Sequence, residues 1–199
     1  MRFSKGTGVD THLIRTCPVQ TGHAFIQVAS SGQNSIIVYG GSNKQITVDY
    51  ISEAFCDFGK DDMLLLQNEI SCTEEAIKIA ADKGMRIAFN PSPFTQEILS
   101  MPLEKLDWLI LNSTEGAICF DGETRYFQEC YKVKAVDTTG AGDTFTGYFL
   151  ACIAKGKGIQ EALKIAGAAA AISVMSEGAA VSIPTQKAVD DFISTCLHY

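Results

Sequence analysis

The sequence predicts an α/β protein with a mostly parallel sheet, and three observations support this class. Short apolar runs alternate with helical segments between residues 63 and 112, in the order strand, helix, strand, helix, strand. The first part of the chain has the pattern of a strand pair, and the last third is helical. At 199 residues and 46% hydrophobic composition, the chain can bury a core without disulfides, so we expect a single domain over residues 1–199.

β-Branched and aromatic runs at 23–29 and 34–40 predict two strands joined by a turn at 30–33. The run at 63–67 is apolar throughout, which is typical of a strand buried on both faces of a sheet. Ser71 and Glu74 have the spacing of a capping box, which predicts a helix from residue 74 that ends at Gly84.

The second half of the chain follows in the same way. Residues 85–90 and 107–112 predict two further strands, and the Asp121–Gly122 pair predicts a hairpin between residues 117–120 and 124–128. We expect three helices after it, one beginning near Gly140, one over 160–175 and one over 185–196 with Thr185 as its N-cap.

Composition excludes several classes of protein. The 16 basic and 23 acidic side chains give a net charge of −7 with no basic cluster, which argues against a nucleic-acid partner. The apolar stretch at 166–175 is too short to span a membrane. Seven scattered cysteines without a C-x-x-C pair, and an N-terminus without an apolar leader, predict reduced thiols and a cytoplasmic location.

The segment VDTTGAGDTFTGYFLA, at 136–151, is the most informative in the chain. Gly140, Ala141 and Gly142 lead into a helix, whose free N–H groups and positive dipole end would bind an anion. Asp143 stands in the first turn, where it is either a helix-stabilising acid or a general base beside a phosphoryl group. The segment fits neither the dinucleotide fingerprint G-x-G-x-x-G nor a P-loop, because Phe145 occupies the third glycine position and neither Gly-Lys pair of the chain is followed by Ser or Thr.

DTTGAGDTFTGYF, at 137–149, resembles the C-terminal signature of the ribokinase (PfkB) family of carbohydrate and nucleoside kinases. Similar segments cover nearly the whole chain, among them GVDT at 8–11, GQNSIIVYGGSN at 32–43, FNPSP at 89–93 and the N-x-x-E element at 112–115. The resemblance implies the ribokinase-like three-layer sandwich, incomplete on its N-terminal side. It also implies an ATP-dependent phosphotransferase acting on a small sugar, with ribose converted to ribose 5-phosphate as the first choice.

The resemblance also assigns the site. Asp143 would be the catalytic base, and Gly140, Ala141 and Gly142 would form the anion hole. Asn112 and Glu115 would bind the phosphates, with Glu115 holding Mg²⁺ through water, and Gln33 would contact the sugar. The ligands expected for K⁺ are Asp137, Thr139, Ser173, Ser176, Gly178 and Ser182. Many relatives dimerise through a lid, so a homodimer is one assembly that the resemblance allows.

The chain also departs from the family. It lacks the N-terminal sugar clamp, and near 115/116 the N-x-x-E element runs directly into the predicted hairpin without the family's next helical stretch. A parallel return needs a dozen or more residues, so we expect either the strand order or the packing of this segment to change. Two hypotheses therefore stay open: an active sugar kinase, or a truncated non-catalytic remnant that binds nucleotide or a partner chain.

Overall fold

The computed structural model describes residues 6–28, 34–113 and 115–196, in which helices cover both faces of a central sheet. This is the three-layer α/β sandwich that the sequence predicts. The strands are β1 (His23–Val28), β2 (Asn34–Tyr39), β3 (Met63–Gln67), β4 (Arg86–Asn90), β5 (Trp108–Asn112), β6 (Gly116–Asp121) and β7 (Thr124–Glu129). The α-helices are α1 (Val48–Ala54), α2 (Thr73–Asp82), α3 (Ala141–Ala154), α4 (Ile159–Ser173) and α5 (Gln186–Cys196). Short 3₁₀ helices span Gly41–Gln45, Gln96–Ser100, Leu103–Lys105 and Ala180–Ser182.

The central sheet has five strands in the order β3-β4-β5-β6-β7. β3, β4 and β5 are parallel, whereas β6 and β7 continue the sheet as antiparallel strands. Because β3, β4 and β5 point the same way, their carboxyl ends lie along one edge of the sheet, where α/β proteins commonly bind ligands.

Two hydrophobic clusters hold the helices to the sheet. One joins α3, α4 and α5 to β5 and β6 around the fully buried Phe149, Leu163 and Ile110. The other joins α1 and α2 to β3 and β4 around Ile77 and Phe89. The alanine-rich face of α4 lets α3 and α4 approach closely, since Ala166, Ala168 and Ala169 are fully buried between larger side chains.

Most predicted elements are confirmed, with three corrections. The predicted helix between β4 and β5 is wrong: this stretch, which the structure describes in full, contains only two short 3₁₀ helices, because prolines interrupt it. The capping box at Ser71 is wrong: Cys72 is the N-cap of α2, and the Ser71 hydroxyl donates to the Ile46 carbonyl at 2.7 Å. The hairpin between β6 and β7 is confirmed, but Asp121 pairs with Thr124, so its two-residue loop is Gly122–Glu123. Helix α1 was not predicted from the sequence, although Thr47 caps it by accepting from the Tyr50 N–H.

The segment around residue 115 does change the strand direction. β5 turns back into β6 as an antiparallel hairpin in which Asn112 pairs with Ala117. Ser113 and Gly116 close the loop through a 2.8 Å bond from the Ser113 N–H to the Gly116 carbonyl. A short loop can join antiparallel neighbours but not parallel ones, which is why the parallel part of the sheet ends at β5.

β1 and β2 form a separate antiparallel ribbon in which Phe25 faces Ile37 and Ile26 faces Ile36. The predicted turn at 30–33 lies outside the described residues. Within the described part of the chain, no helix combines the length and apolar character needed to cross a membrane. All seven cysteines are free thiols.

Candidate active site

The N-terminus of α3 is the centre of the candidate site. Gly140 is its N-cap and has a left-handed backbone with φ of 76°, and within the described part of the chain no side-chain hydrogen bond caps the helix. The Thr144 N–H makes the first helical hydrogen bond, to the Gly140 carbonyl at 2.9 Å. The Ala141 N–H donates to the Thr138 carbonyl at 3.3 Å. The N–H groups of Gly142 and Asp143 belong to the same first turn, at the helix end where the glycine motif predicts an anion.

Two clefts meet at this helix end. The first, here called the Asn112 cleft, has a volume of about 190 Å³ and includes Asn112, Tyr131, Ala141, Gly142, Gly167, Ala170 and Ala171. The second, here called the Asp143 cleft, has a volume of about 420 Å³ and includes Asn43, Leu65, Gln67, Glu69, Ile70, Asp143 and Thr146. Consecutive residues of α3 thus face different clefts, Ala141 and Gly142 one and Asp143 the other.

The Asn112 cleft is mainly apolar and is built from small residues. Gly167 lies against Gln128 and Tyr131, and a Cβ on it would come within 3.3 Å of Gln128 Cγ. Ala170 and Ala171, from the four-alanine run, form part of the wall. This combination suits a flat ring with a polar end directed at the α3 amides.

Asn112 and Glu115 occupy different places. Asn112 Nδ2 lies 3.3 Å from the position that a Cβ on Gly142 would take, so its amide reaches the α3 N-terminus. Glu115 is exposed in the hairpin loop and lines a third cleft, which adjoins the Asn112 cleft because both include Tyr131 and Val133. Asn112 therefore lies at the glycine motif, and Glu115 lies in the adjoining cleft.

Asp143 is exposed, and its Oδ1 accepts a 3.2 Å hydrogen bond from Gln67 Nε2 at the end of β3. Sequence reasoning missed Gln67, and it also missed Asn43 and Glu69 as components of the Asp143 cleft. Gln67 and Glu69 lie at the carboxyl end of a predicted parallel strand, and that position was the available signal. Gln33, the predicted sugar contact, lies outside the described residues.

The residues predicted to bind K⁺ gather where the segment before α3 meets the loop after α4. Asp137 Oδ1 accepts from the Thr139 N–H and Oδ2 accepts from the Gly178 N–H, both at 2.9 Å. Hydrogen bonds from the Thr139 side chain, the Gly178 N–H and the Thr139 N–H hold the pKa of Asp137 below its usual range. Asp137 therefore joins the two segments instead of capping α3.

Ser173 is the last residue of α4, Ser176 lies in the loop after it, and Ser182 ends the 3₁₀ helix that follows. The buried Ser173 hydroxyl donates to the Ala170 carbonyl at 2.8 Å, and the Ser182 hydroxyl donates to the Ala179 carbonyl at 2.9 Å. Ser176 is exposed, with its N–H directed at the Ser173 carbonyl. Since each hydroxyl that donates keeps free lone pairs, the loop presents the oxygen donors that a hard cation prefers.

The sequence of this chain is similar to those of known carbohydrate kinases. Residues 112–186 match the model of the pfkB family carbohydrate kinases. The chain is 32% identical to a ribokinase of Haemophilus influenzae, over 94% of this chain and 74% of that protein. It is 31% identical to a ribokinase of Bacillus subtilis, over 96% of this chain and 75% of that protein.

Solved structures of ribokinases are also similar to this chain. A ribokinase of Cryptococcus neoformans in complex with ADP superposes with a TM-score of 0.79 at 26% identity, covering 96% of this chain and 77% of that one. The ribokinase of Arabidopsis thaliana complexed with ribose and ATP gives a TM-score of 0.69 at 26% identity, covering 95% and 74%. The fold is therefore the ribokinase-like sandwich.

The fold and the glycine motif at α3 define a sugar kinase. The chain belongs to the pfkB family of carbohydrate kinases, and ribokinases are among its relatives at about one-third identity.

Proposed function

We propose that this protein transfers the γ-phosphoryl group of ATP to a hydroxyl of ribose, giving ribose 5-phosphate and ADP. The observation that carries the proposal is the meeting of two clefts at the N-terminus of α3. An apolar cleft with small walls suits the nucleotide, and a cleft edged by polar side chains suits a sugar. The choice of ribose rests on the relatives named ribokinase, one of them solved with ribose and ATP.

Asp143 is the proposed catalytic base. Its carboxylate takes the proton of the sugar hydroxyl as that oxygen attacks the γ-phosphorus, and the bond from the γ-phosphorus to the bridging oxygen of ADP breaks. The N–H groups of Gly140, Ala141, Gly142 and Asp143 stabilise the negative charge on the transferring group. Asn43 and Glu69 offer hydrogen bonds to sugar hydroxyls in the same cleft.

We also propose Mg²⁺ and K⁺ as the ions of the site. Among the residues that the structure describes, no three His, Cys, Asp or Glu side chains gather into a metal-binding group. Mg²⁺ would therefore be bound through water and phosphate oxygens, with Asn112 near the phosphates and Glu115 in the role predicted from the family. When bound, Mg²⁺ neutralises charge on the phosphates.

K⁺ would be held by Asp137, Thr139 and the loop oxygens of Ser173, Ser176, Gly178 and Ser182. The donor set fits a hard cation because it consists of carboxylate, hydroxyl and carbonyl oxygens. A cation there would add positive charge next to the segment that leads into α3. We further propose a homodimer, with the apolar β1–β2 ribbon as the contact surface.

The test is a coupled assay for ADP formation with ribose, Mg²⁺ and K⁺. We expect turnover that falls by at least about 10³-fold in Asp143→Asn, because the base is lost while the shape is kept. Asp191→Asn, the same change at an exposed site on α5, should keep full activity. Omitting Mg²⁺ should abolish turnover, and replacing K⁺ by a large organic cation should reduce it.

The remnant hypothesis predicts a different result. Its supporting observation is that Glu115 lines the cleft beside the Asn112 cleft, and that the lining of this neighbouring cleft includes no residue of the glycine motif. Calorimetry with a non-hydrolysable ATP analogue and with ribose distinguishes the two. Nucleotide binding without ribose binding, together with no turnover on a panel of pentoses and hexoses, would support the remnant and contradict the kinase proposal.

A further inference from the structure

The hydrogen bond between Gln67 and Asp143 links two parts of the molecule that are far apart in the chain. Gln67 is the last residue of β3, and Asp143 lies in the first turn of α3, 76 residues later. An ionised carboxylate only accepts hydrogen bonds, so the Gln67 amide must present its NH₂ group to Asp143 Oδ1. The contact therefore fixes the orientation of both side chains.

The strand end that carries Gln67 is firmly held. Gln67 pairs in register with Asn90 at the end of β4, and its neighbour Leu66 is buried. The next residue, Asn68, is bonded to the turn after β4, through its N–H to the Ser92 carbonyl and through Nδ2 to the Pro93 carbonyl at 2.8 Å. Gln67 thus projects from a rigid support, which is what a group that aligns another requires.

The Asp143 side chain is less constrained than the strand end that carries Gln67. Asp143 is exposed at the edge of its cleft, and Gln67 is the one side-chain hydrogen-bond donor to its carboxylate seen among residues 6–28, 34–113 and 115–196. Without that donor, the carboxylate could rotate freely in solvent. With it, Oδ1 is engaged and Oδ2 is left to receive a proton.

We propose that Gln67 is a positioning residue that holds the Asp143 carboxylate in the orientation in which Oδ2 faces the sugar hydroxyl. This role rests on the proposed function of Asp143 as the base. It accounts for the presence of an amide at the end of an otherwise apolar strand, where three successive leucines precede it. Removing the donor would slow proton transfer without removing a substrate contact.

A role in sugar binding makes the opposite prediction, because Gln67 also lines the cleft. A residue that aligns the base affects kcat, whereas one that only binds sugar affects KM and the ribose Kd. Gln67→Met keeps the length of the side chain and removes the amide. We expect kcat to fall roughly tenfold, with the KM for ATP and the ribose Kd from calorimetry within about twofold of the parent protein.

Gln67→Glu provides a second variant of nearly the same shape. It replaces the donor with an acceptor facing Asp143, so we expect a larger loss of kcat than in Gln67→Met. The matched control is Gln160→Met, which removes an amide bonded at the same 3.2 Å to the Phe127 carbonyl, outside both clefts. It should leave kcat unchanged. Thermal melting of all three variants checks folding, and Gln67→Glu carries the test if Gln67→Met does not fold.

The outcomes separate this inference from the function on which it rests. If Asp143→Asn is inactive but the Gln67 variants keep the kcat of the parent protein, the positioning role is wrong and the kinase proposal stands. A raised ribose Kd with unchanged kcat also overturns it, in favour of a substrate contact. If the parent chain shows no turnover, or Asp143→Asn keeps it, the proposed function fails and the role of Gln67 fails with it.

Discussion

Gly140 is the N-cap of α3, at the helix end where the two clefts meet. Its φ of 76° lies in the left-handed region, which costs an L-residue roughly 1–2 kcal/mol. A Cβ at this position would also come within 3.0 Å of Ala179 Cβ in the loop that carries Gly178. The residue is therefore required by both its backbone conformation and its close neighbour.

We expect Gly140→Ala to lower the free energy of unfolding by about 1–3 kcal/mol, from left-handed strain together with the contact against Ala179. Urea unfolding of the purified protein measures this loss. The matched control is Gly147→Ala in the middle of α3, where a Cβ would have no neighbour within 4 Å. That change should raise stability by about 0.5–1 kcal/mol, because alanine favours the helix. Equal stability of the two variants would contradict the argument.

The residues of the site differ in how far the sequence could predict them. The anion-binding turn is local, because Gly140 to Asp143 are consecutive and their chemistry depends on one helix start. Gln67 could not be predicted as a partner of Asp143, because their contact depends on the distance between the end of β3 and the start of α3. Glu115 shows the reverse case, since a motif predicts its role but the hairpin loop places it in the cleft beside the one that Asn112 lines.

At the scale of elements, hydrophobic patterns were sufficient for the strands and the long helices. Strand β3 and helix α4 coincide with apolar runs in the sequence. Such runs are expected only in elements that a core buries, so the pattern alone predicts them. Helix α1 was missed because its seven residues carry little periodic signal, and only Ile51 among them is buried. The capping box failed because the Ser71 hydroxyl is taken by the Ile46 carbonyl, a contact that arises only when the segment before α1 packs against α2.

The stability of the joint between the segment before α3 and the loop after α4, which Asp137 links, should depend on pH. The lowered pKa of Asp137 means that folding favours its ionised form, so its contribution to stability is present above the ordinary carboxyl pKa. That contribution is lost as the pH falls through the lowered pKa. Asp137→Asn removes it at all pH values and sets an NH₂ group against one of the two N–H donors.

We therefore expect the melting temperature of Asp137→Asn to lie below that of the parent protein at pH 7 and the gap to narrow as the pH falls below 4. Thermal unfolding followed by circular dichroism across this range measures the gap. Asp191→Asn, at an exposed position on α5, serves as the control for the change in net charge. A gap that stays constant with pH would show that Asp137 does not stabilise the joint through its charge.

At the scale of the whole molecule, the β1–β2 ribbon is notable because its apolar side chains are exposed and lie outside the two hydrophobic clusters. Phe25 and Ile37 are cross-strand neighbours on one face and are 66% and 70% exposed. Ile26 and Ile36 lie opposite each other on the other face and are also exposed. An isolated two-stranded ribbon is at best marginally stable in water, so a ribbon with two apolar faces is expected to be covered by another surface.

A second copy of the chain is the occupant that we propose, because the same ribbon on each copy can supply apolar area to the other about a twofold axis. We expect sedimentation velocity at micromolar concentration to give a dimer for the parent protein. Phe25→Lys combined with Ile37→Lys should give a monomer, since two charges would be buried without partners. Phe94→Lys combined with Leu99→Lys adds the same charges at exposed apolar residues outside the ribbon and should leave the dimer intact. A monomeric parent protein, or a dimer that survives the ribbon substitutions, would contradict the ribbon as the contact.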